Sequence, residues 1–144
     1  MKTIVKTFTA AALIAFSSVV IAAEKPEKVS VNLSTADFAL QHYVAVTTAG
    51  ETVGLAQLFA EDFIQKIQAF KTQTYGRQTL IKSLKKQQGE ILNCKTHIKI
   101  VEKSADYMIA KIVLKFDGFS MTDLVTLVYE NGGWQVSKSV HSYQ

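Results

Sequence analysis

Residues 106–143 read DYMIAKIVLKFDGFSMTDLVTLVYENGGWQVSKSVHSY. From 106 to 116, Met108, Ala110, Ile112, Leu114 and Phe116 alternate with Tyr107, Ile109, Lys111, Val113 and Lys115, the two-residue repeat of a strand. Asp117-Gly118 is a turn signal, and 121–130 is the next strand. Asn131-Gly132-Gly133 predicts a hairpin turn, because Asn and Gly accept positive φ. The last strand runs over 134–143. Upstream, 91–102 sets Cys94, Thr96, Ile98 and Ile100 against Lys95, His97 and Lys99. Four such segments in a row predict an antiparallel meander.

Ahead of the meander the period changes. Ala36, Ala39, Leu40, Tyr43 and Val46 recur at helical spacing, with Ser34 as the expected cap, Asp37 three residues on, and Gly50 as the stop. A short helix is expected over 52–60, with Leu55, Leu58 and Phe59 inward. Residues 62–70 alternate, with Phe63, Gln65, Ile67 and Ala69 on one face, and read as a strand running into a turn at Tyr75-Gly76. A third helix over 77–88 has Leu80, Ile81 and Leu84 as its core stripe and Lys82, Lys85 and Lys86 on its wet face, and Gly89 ends it. The pattern predicts an α+β fold, a curved antiparallel sheet wrapped around three N-terminal helices, in one domain over 34–144.

The whole chain is 144 residues long with a formal charge of +4. Residues 1–23 have the layout of a signal peptide: Lys2 and Lys6, an apolar middle, and Ala22-Ala23 at the cleavage site. Removing that leader takes the charge to +2, too little for a dedicated nucleic-acid binder. Residues 24–33 read as a flexible lead-in. The expected destination is the periplasm or the medium, with no membrane association after cleavage. The single cysteine, Cys94, excludes an internal disulfide framework and is expected buried or paired between chains.

The motifs carry a family resemblance. Gln41-His42-Tyr43-Val44-Ala45, Ala49-Gly50 and Leu58-Phe59-Ala60-Glu61-Asp62 resemble the opening of steroid isomerases and SnoaL-like proteins. Tyr75-Gly76-Arg77 resembles the start of their third helix. The tail from Thr122-Asp123-Leu124-Val125 through Asn131-Gly132-Gly133-Trp134-Gln135-Val136-Ser137-Lys138 resembles the lumazine-binding-like branch. Over 35–143 the chain is similar to the nuclear transport factor 2-like (cystatin-like cone) superfamily, which implies a cone with a pocket. The resemblance brings the cone and its pocket without the isomerase machinery. Tyr43 falls at the place of their oxyanion-hole tyrosine. Their general base, an Asp, is matched by Ile67, which accepts no proton. Their protonated acid falls near Val125 or Thr126, and Asp123 lies two residues from Val125 on the same face without matching it.

Other chemistries are poorly supported. His42, His97 and His141 have no metal-ligand spacing, so no metal or cofactor is expected. Cys94 and His97 point to opposite faces of a strand and form no nucleophile–base pair. Lys95, Lys99, Lys111 and Lys115 share a face, either solvated or an anionic-partner patch. Tyr43 is either a half-buried helix residue or a donor to a ligand. Asp123 is either a solvated strand carboxylate or an inward acid beside Val125, Leu127 and Tyr129. The expected function is an exported small-molecule-binding or accessory domain, its pocket lined by Tyr43, Thr47, Phe59, Phe63, Asp123, Val125 and Tyr129. The expected ligand is small and apolar or aromatic, and a homodimer through the sheet is expected. One alternative is a SnoaL-like acid–base enzyme using Tyr43 and Asp123. Another is a dimeric interaction module without a ligand. The intact mass of the protein from periplasm or medium should correspond to a chain beginning at Glu24. A soluble cytoplasmic species retaining Met1 would contradict export.

Overall fold

The computed structural model describes residues 30–144, so the expected leader and most of the lead-in lie outside the described residues. Helix α1 is Ala36–Thr48. Its cap is Thr35 rather than Ser34: the Thr35 hydroxyl accepts from the Phe38 amide at 3.1 Å. The stripe Ala36, Ala39, Leu40, Tyr43 and Val46 is buried, as its spacing requires. The second helix is a single turn, α2, Leu55–Leu58. The chain extends already at Phe59, so strand β1 is Phe59–Gln68 and starts earlier than its alternation suggests.

The expected turn at Tyr75-Gly76 is instead the end of a short strand, β2, Gln73–Gly76, antiparallel to β1. Helix α3 follows at Arg77–Lys86. Strands β3 (Lys95–Lys103), β4 (Tyr107–Lys115), β5 (Ser120–Glu130) and β6 (Gly133–Tyr143) form the meander. The sheet order is β2-β1-β6-β5-β4-β3. β1 joins β6 in parallel, the one departure from the expected antiparallel sheet, and this pairing places the chain's first strand beside its last.

One face of the sheet is covered by helices. α1 packs across β5 and β6, and α3 lies on β1 and β2. Between them and the sheet sit Tyr43, Leu58, Phe59, Phe63, Met108, Val125, Leu127 and Val136, none more than 2% exposed. β3 extends past this cover. Thr96, Ile98 and Ile100 stand on the helix-side face, paired with Leu114, Ile112 and Ala110, yet are exposed because no helix reaches the edge strand. Cys94 is half-buried at the margin of the core. At the start of the described chain Leu33 is docked, its carbonyl accepting from the Trp134 amide at 2.8 Å.

Two backbone joints set where the helices sit. Arg77 donates from Nε to the Phe59 carbonyl and from Nη2 to the Ala56 carbonyl, at 3.1 and 2.8 Å, and so ties the start of α3 to the α2–β1 corner. The C-terminal end of α1 is tied to the segment after α3: the Gly89 amide donates to the Gly50 carbonyl at 3.0 Å, and the Leu92 amide to the Thr48 carbonyl at 2.8 Å. Gly50 has φ +66, and a Cβ there would meet the backbone nitrogens of Gly89 and Glu90 at 2.5 Å. Gly118, with φ +91, has open space around it. Gly50→Ala should therefore lose more than about 1 kcal/mol, and clearly more than Gly118→Ala, in urea denaturation. Equal losses at the two positions would mean that the α1–α3 joint is not under steric control.

Candidate functional site

The site begins at a buried acid. Asp123 lies in the first half of β5, in step with Val125 and Leu127, and is 3% exposed. Burying a carboxylate in apolar surroundings is costly unless its oxygens are hydrogen-bonded. Two hydrogen bonds meet this demand: Tyr43 donates its hydroxyl to Oδ2 at 2.5 Å and Ser139 donates to Oδ1 at 2.7 Å, while His141 Nε2 stands 3.2 Å from Oδ2 without a hydrogen bond to it. Tyr43 also lies 3.2 Å from Ser139 Oγ, but its single proton goes to the shorter, charge-assisted contact. No buried side-chain nitrogen or oxygen among the described residues lacks a partner.

Tyr43 is itself completely enclosed. Burial, then the negative charge of Asp123, then the hydrogen bond to it push the phenol well above its ordinary 10.0. It stays protonated and acts as a donor to Asp123. With 0% exposure it presents no hydroxyl to a ligand. The two expected acid–base residues therefore do meet, but they satisfy each other.

A β-bulge brings the remaining groups in. Val136 pairs with Leu127 and Lys138 with Thr126, so Ser137 is an extra residue on β6. Trp134 and Val136 point inward before it, and Ser139 and His141 after it. Unbroken alternation from Trp134 would have turned Ser139 and His141 to the other face. Past the bulge, Asp123 and His141 are direct cross-strand partners, and Ile67 of β1 lies opposite His141 on its other side. Gln65, 6% exposed, places its amide nitrogen 3.2 Å from His141 Nε2.

This cluster forms the polar floor of a cavity of about 350 Å³ between α3 and the sheet. Asp123, His141, Gln65 and Thr47 supply polar groups, with Ser83 and Gln87 from α3. Leu80, Leu84, Ile112 and Leu114 are among the apolar walls, and Phe116, Phe119 and Tyr143 stand at the margin. Phe116 and Phe119 are stacked, with centroids 4.7 Å apart and planes 9° apart. Phe119 and Tyr143 are 48% and 49% exposed, so the margin is open and aromatic. A second cavity of about 290 Å³ shares Gln65, Ile67, Leu80 and Ser83 with it and reaches Tyr75.

Of the seven pocket residues expected from the sequence, Thr47 and Asp123 line this cavity. Tyr43 stands behind Asp123, and Phe59, Phe63 and Val125 belong to the packed core. Phe59 and Phe63 make an edge-on pair at 4.9 Å. Tyr129 is 47% exposed and lies against Trp134 at the other end of β5, about 20 Å from Asp123 at a strand's ordinary rise. His141, Gln65 and Ser139 were not among the seven. His97, by contrast, sits exposed on the edge strand, and no group of three or more His, Cys, Asp or Glu that would hold a metal occurs among the described residues.

The profile of a family described as "Putative lumazine-binding" matches residues 32–142. The fold is similar to that of a nuclear transport factor 2-like protein of unknown function from Silicibacter pomeroyi, at 16% identity and TM-score 0.61, covering 74% of this chain and 90% of that one. It is similar also to nuclear transport factor 2-like proteins of unknown function from Methylobacillus flagellatus and Shewanella baltica. The first has 18% identity and TM-score 0.60 over 80% of this chain and 98% of that one; the second has 17% and 0.59 over 74% and 88%. At these identities the likeness concerns the fold alone. A search of curated proteins found no match.

Tyr43→Phe deletes one donor to a buried carboxylate and should cost about 1–3 kcal/mol in denaturation at neutral pH. The same variant tests the ionisation. A phenol raised in the folded state gives stability that is present below its unfolded value near 10.0 and lost as pH rises toward the folded value. The stability difference between wild type and Tyr43→Phe should therefore shrink as pH climbs above about 10. A difference that stays constant to higher pH would contradict the buried, protonated phenol.

Proposed function

We propose that this chain, which belongs to the "Putative lumazine-binding" family, is an exported domain that binds a small, planar, largely apolar molecule in the cavity under α3. The observation that supports this reading most directly is the cavity itself. At about 350 Å³ it falls within the ~300–1,000 Å³ of ligand pockets. It combines apolar walls with a few convergent polar groups, the usual arrangement for holding and orienting a small molecule. The stacked Phe116 and Phe119 rings and the exposed Tyr143 offer flat faces at its margin, which suit a heteroaromatic ligand. The family's description points to the same class.

The signal-peptide layout of residues 1–23 supports export, which is part of the proposal. Pairing of two copies through the outer face of the sheet is a further part of it. Ile64 and Leu124 are 41% and 42% exposed there, and Leu124 stands opposite Val140. Lys66 and Lys111 flank this strip across the ladder, leaving a narrow apolar band within charged surroundings.

Native mass spectrometry of protein isolated from its own compartment should show a retained small molecule and report whether the carrier is a monomer or a dimer. Titration with lumazine itself should show saturable quenching of the ligand's fluorescence. Ser83→Trp places an indole from the exposed face of α3 into the cavity. It should weaken binding by more than about tenfold, or 1.4 kcal/mol, with the melting temperature unchanged. No retained molecule and no lumazine binding, or binding indifferent to Ser83→Trp, would overturn the reading.

A further inference from the structure

We propose that the open end of the cone is a docking surface for an anionic lipid bilayer, drawn there by lysines and held by apolar side chains that enter the interface. The docking does not require a ligand in the cavity. It departs from the expectation of no membrane association after cleavage, because the surface is assembled only by the fold.

One end of the sheet is formed by the last residues of β1, β4 and β6 and the first of β3 and β5. Gln68 pairs with Ser142, Met121 with Tyr143, Ser120 with Lys115, and Lys115 with Lys95. The chain at this end carries Phe70, Ile91, Leu92, Phe116, Phe119 and Tyr143. Phe70 is fully exposed and Ile91 is 80% exposed. Leu92, Phe116, Phe119 and Tyr143 border the cavity, so the apolar side chains ring its opening. A soluble monomer rarely leaves so many large apolar groups together in water, and such a cluster marks an interaction site. These groups stand on separate projections around an opening: the β1–β2 turn, the α3–β3 loop and the β4–β5 turn. A fluid interface receives all of them at once, whereas a rigid protein partner would need a socket for each. Aromatic rings beside lysines are also the side chains that settle at the boundary of a bilayer.

Charge is divided along the strand axis in the sense this docking needs. At the open end Lys71, Lys85, Lys86, Lys95 and Lys115 outnumber Glu51, Glu90 and Asp117. The opposite end carries Asp37, Glu61, Asp62, Glu102, Asp106 and Glu130, with Lys103 bound to Asp37 at 3.0 Å. A negative surface therefore attracts the open end and repels the other. On the outer face of the sheet Lys95 stands directly opposite Lys115, and Lys99 opposite Lys111. Like charges facing each other across a ladder weaken a sheet, and none of these four lysines has a salt bridge among the described residues. Anionic headgroups supply the countercharge that the sheet itself lacks. Where the cavity holds a small apolar molecule, as proposed above, this orientation turns its opening toward the phase in which such a molecule dissolves.

The test is flotation of protein that begins at Glu24 with vesicles of phosphatidylcholine, alone or mixed with phosphatidylglycerol. Wild type should float with the mixed vesicles and stay behind with phosphatidylcholine alone. Phe70→Ser combined with Ile91→Ser should lower the partition coefficient more than about tenfold. Lys95→Gln combined with Lys115→Gln should also lower it by about tenfold or more. Both double variants should keep the wild-type melting temperature, because all four side chains are exposed. No flotation with the mixed vesicles, flotation indifferent to phosphatidylglycerol, or flotation that either double variant leaves unchanged would each overturn the proposal. Retention on heparin without flotation, unchanged by Phe70→Ser with Ile91→Ser, would assign the lysines to an acidic macromolecule instead and sink the bilayer reading. Neither Phe70 nor Ile91 lines the cavity, so that variant should keep the wild-type lumazine titration. Lumazine binding without flotation removes the docking and leaves the binding site, and flotation without lumazine binding does the reverse.

Discussion

A carboxylate set into an apolar sheet face is tolerable only when its lone pairs are matched, and Asp123 is 3% exposed with a hydrogen bond to each of its two oxygens. Those partners come from different parts of the chain. Tyr43 lies on the first helix, and Ser139 lies on the last strand. The hydrogen bonds therefore hold α1 against β5 and β6 at one defined depth and rotation. Apolar packing alone is non-directional and would leave both less constrained.

The same acid separates packed core from open cavity. On the α1 side of Asp123, Tyr43, Phe59, Phe63 and Val125 fill the space completely. On the α3 side the helix spans the sheet with Leu80, Leu84 and Ser83, and about 350 Å³ is left between them. α3 is held away from the sheet centre by its two anchors, Arg77 on the α2–β1 corner at one end and the Gly50–Gly89 contact near the other. With both ends pinned to backbone, the helix does not collapse onto Ile112 and Leu114, and the empty space persists. The scaffold creates the space, while the chemistry inside it belongs to the side chains the chain places there.

His141 owes its place to one extra residue. The bulge at Ser137 shifts the parity of β6, and the change turns an outward histidine into one that faces Asp123. Ile67, opposite it on β1, stands where the isomerase resemblance puts a carboxylate base. The imidazole of His141 and the amide of Gln65 supply the polar side chains in this part of the cavity, where Ile67 offers none.

Much of the architecture is legible in local periodicity. The stripe Ala36, Ala39, Leu40, Tyr43 and Val46 and the alternation Met108, Ala110, Ile112 and Leu114 mark the faces that are buried, because the helix and strand repeats are themselves local. Asp123 shares the inward face of Val125 and Leu127 for the same reason. Periodicity says which face a residue takes but not what stands opposite. Val125 and Tyr129 share a face with Asp123, yet one is in the core and the other is exposed beside Trp134. β2 and the parallel β1–β6 ladder also depend on partners distant in the chain. Local pattern along the chain sets the α+β class, the meander and the strand face that Asp123 shares with Val125 and Leu127, while leaving open whether that acid is solvated or inward. Only the tertiary structure decided that Tyr43 would be its buried donor, that the open space would lie under α3, and that His141 would reach it, because each depends on a long-range register that a single bulge can invert.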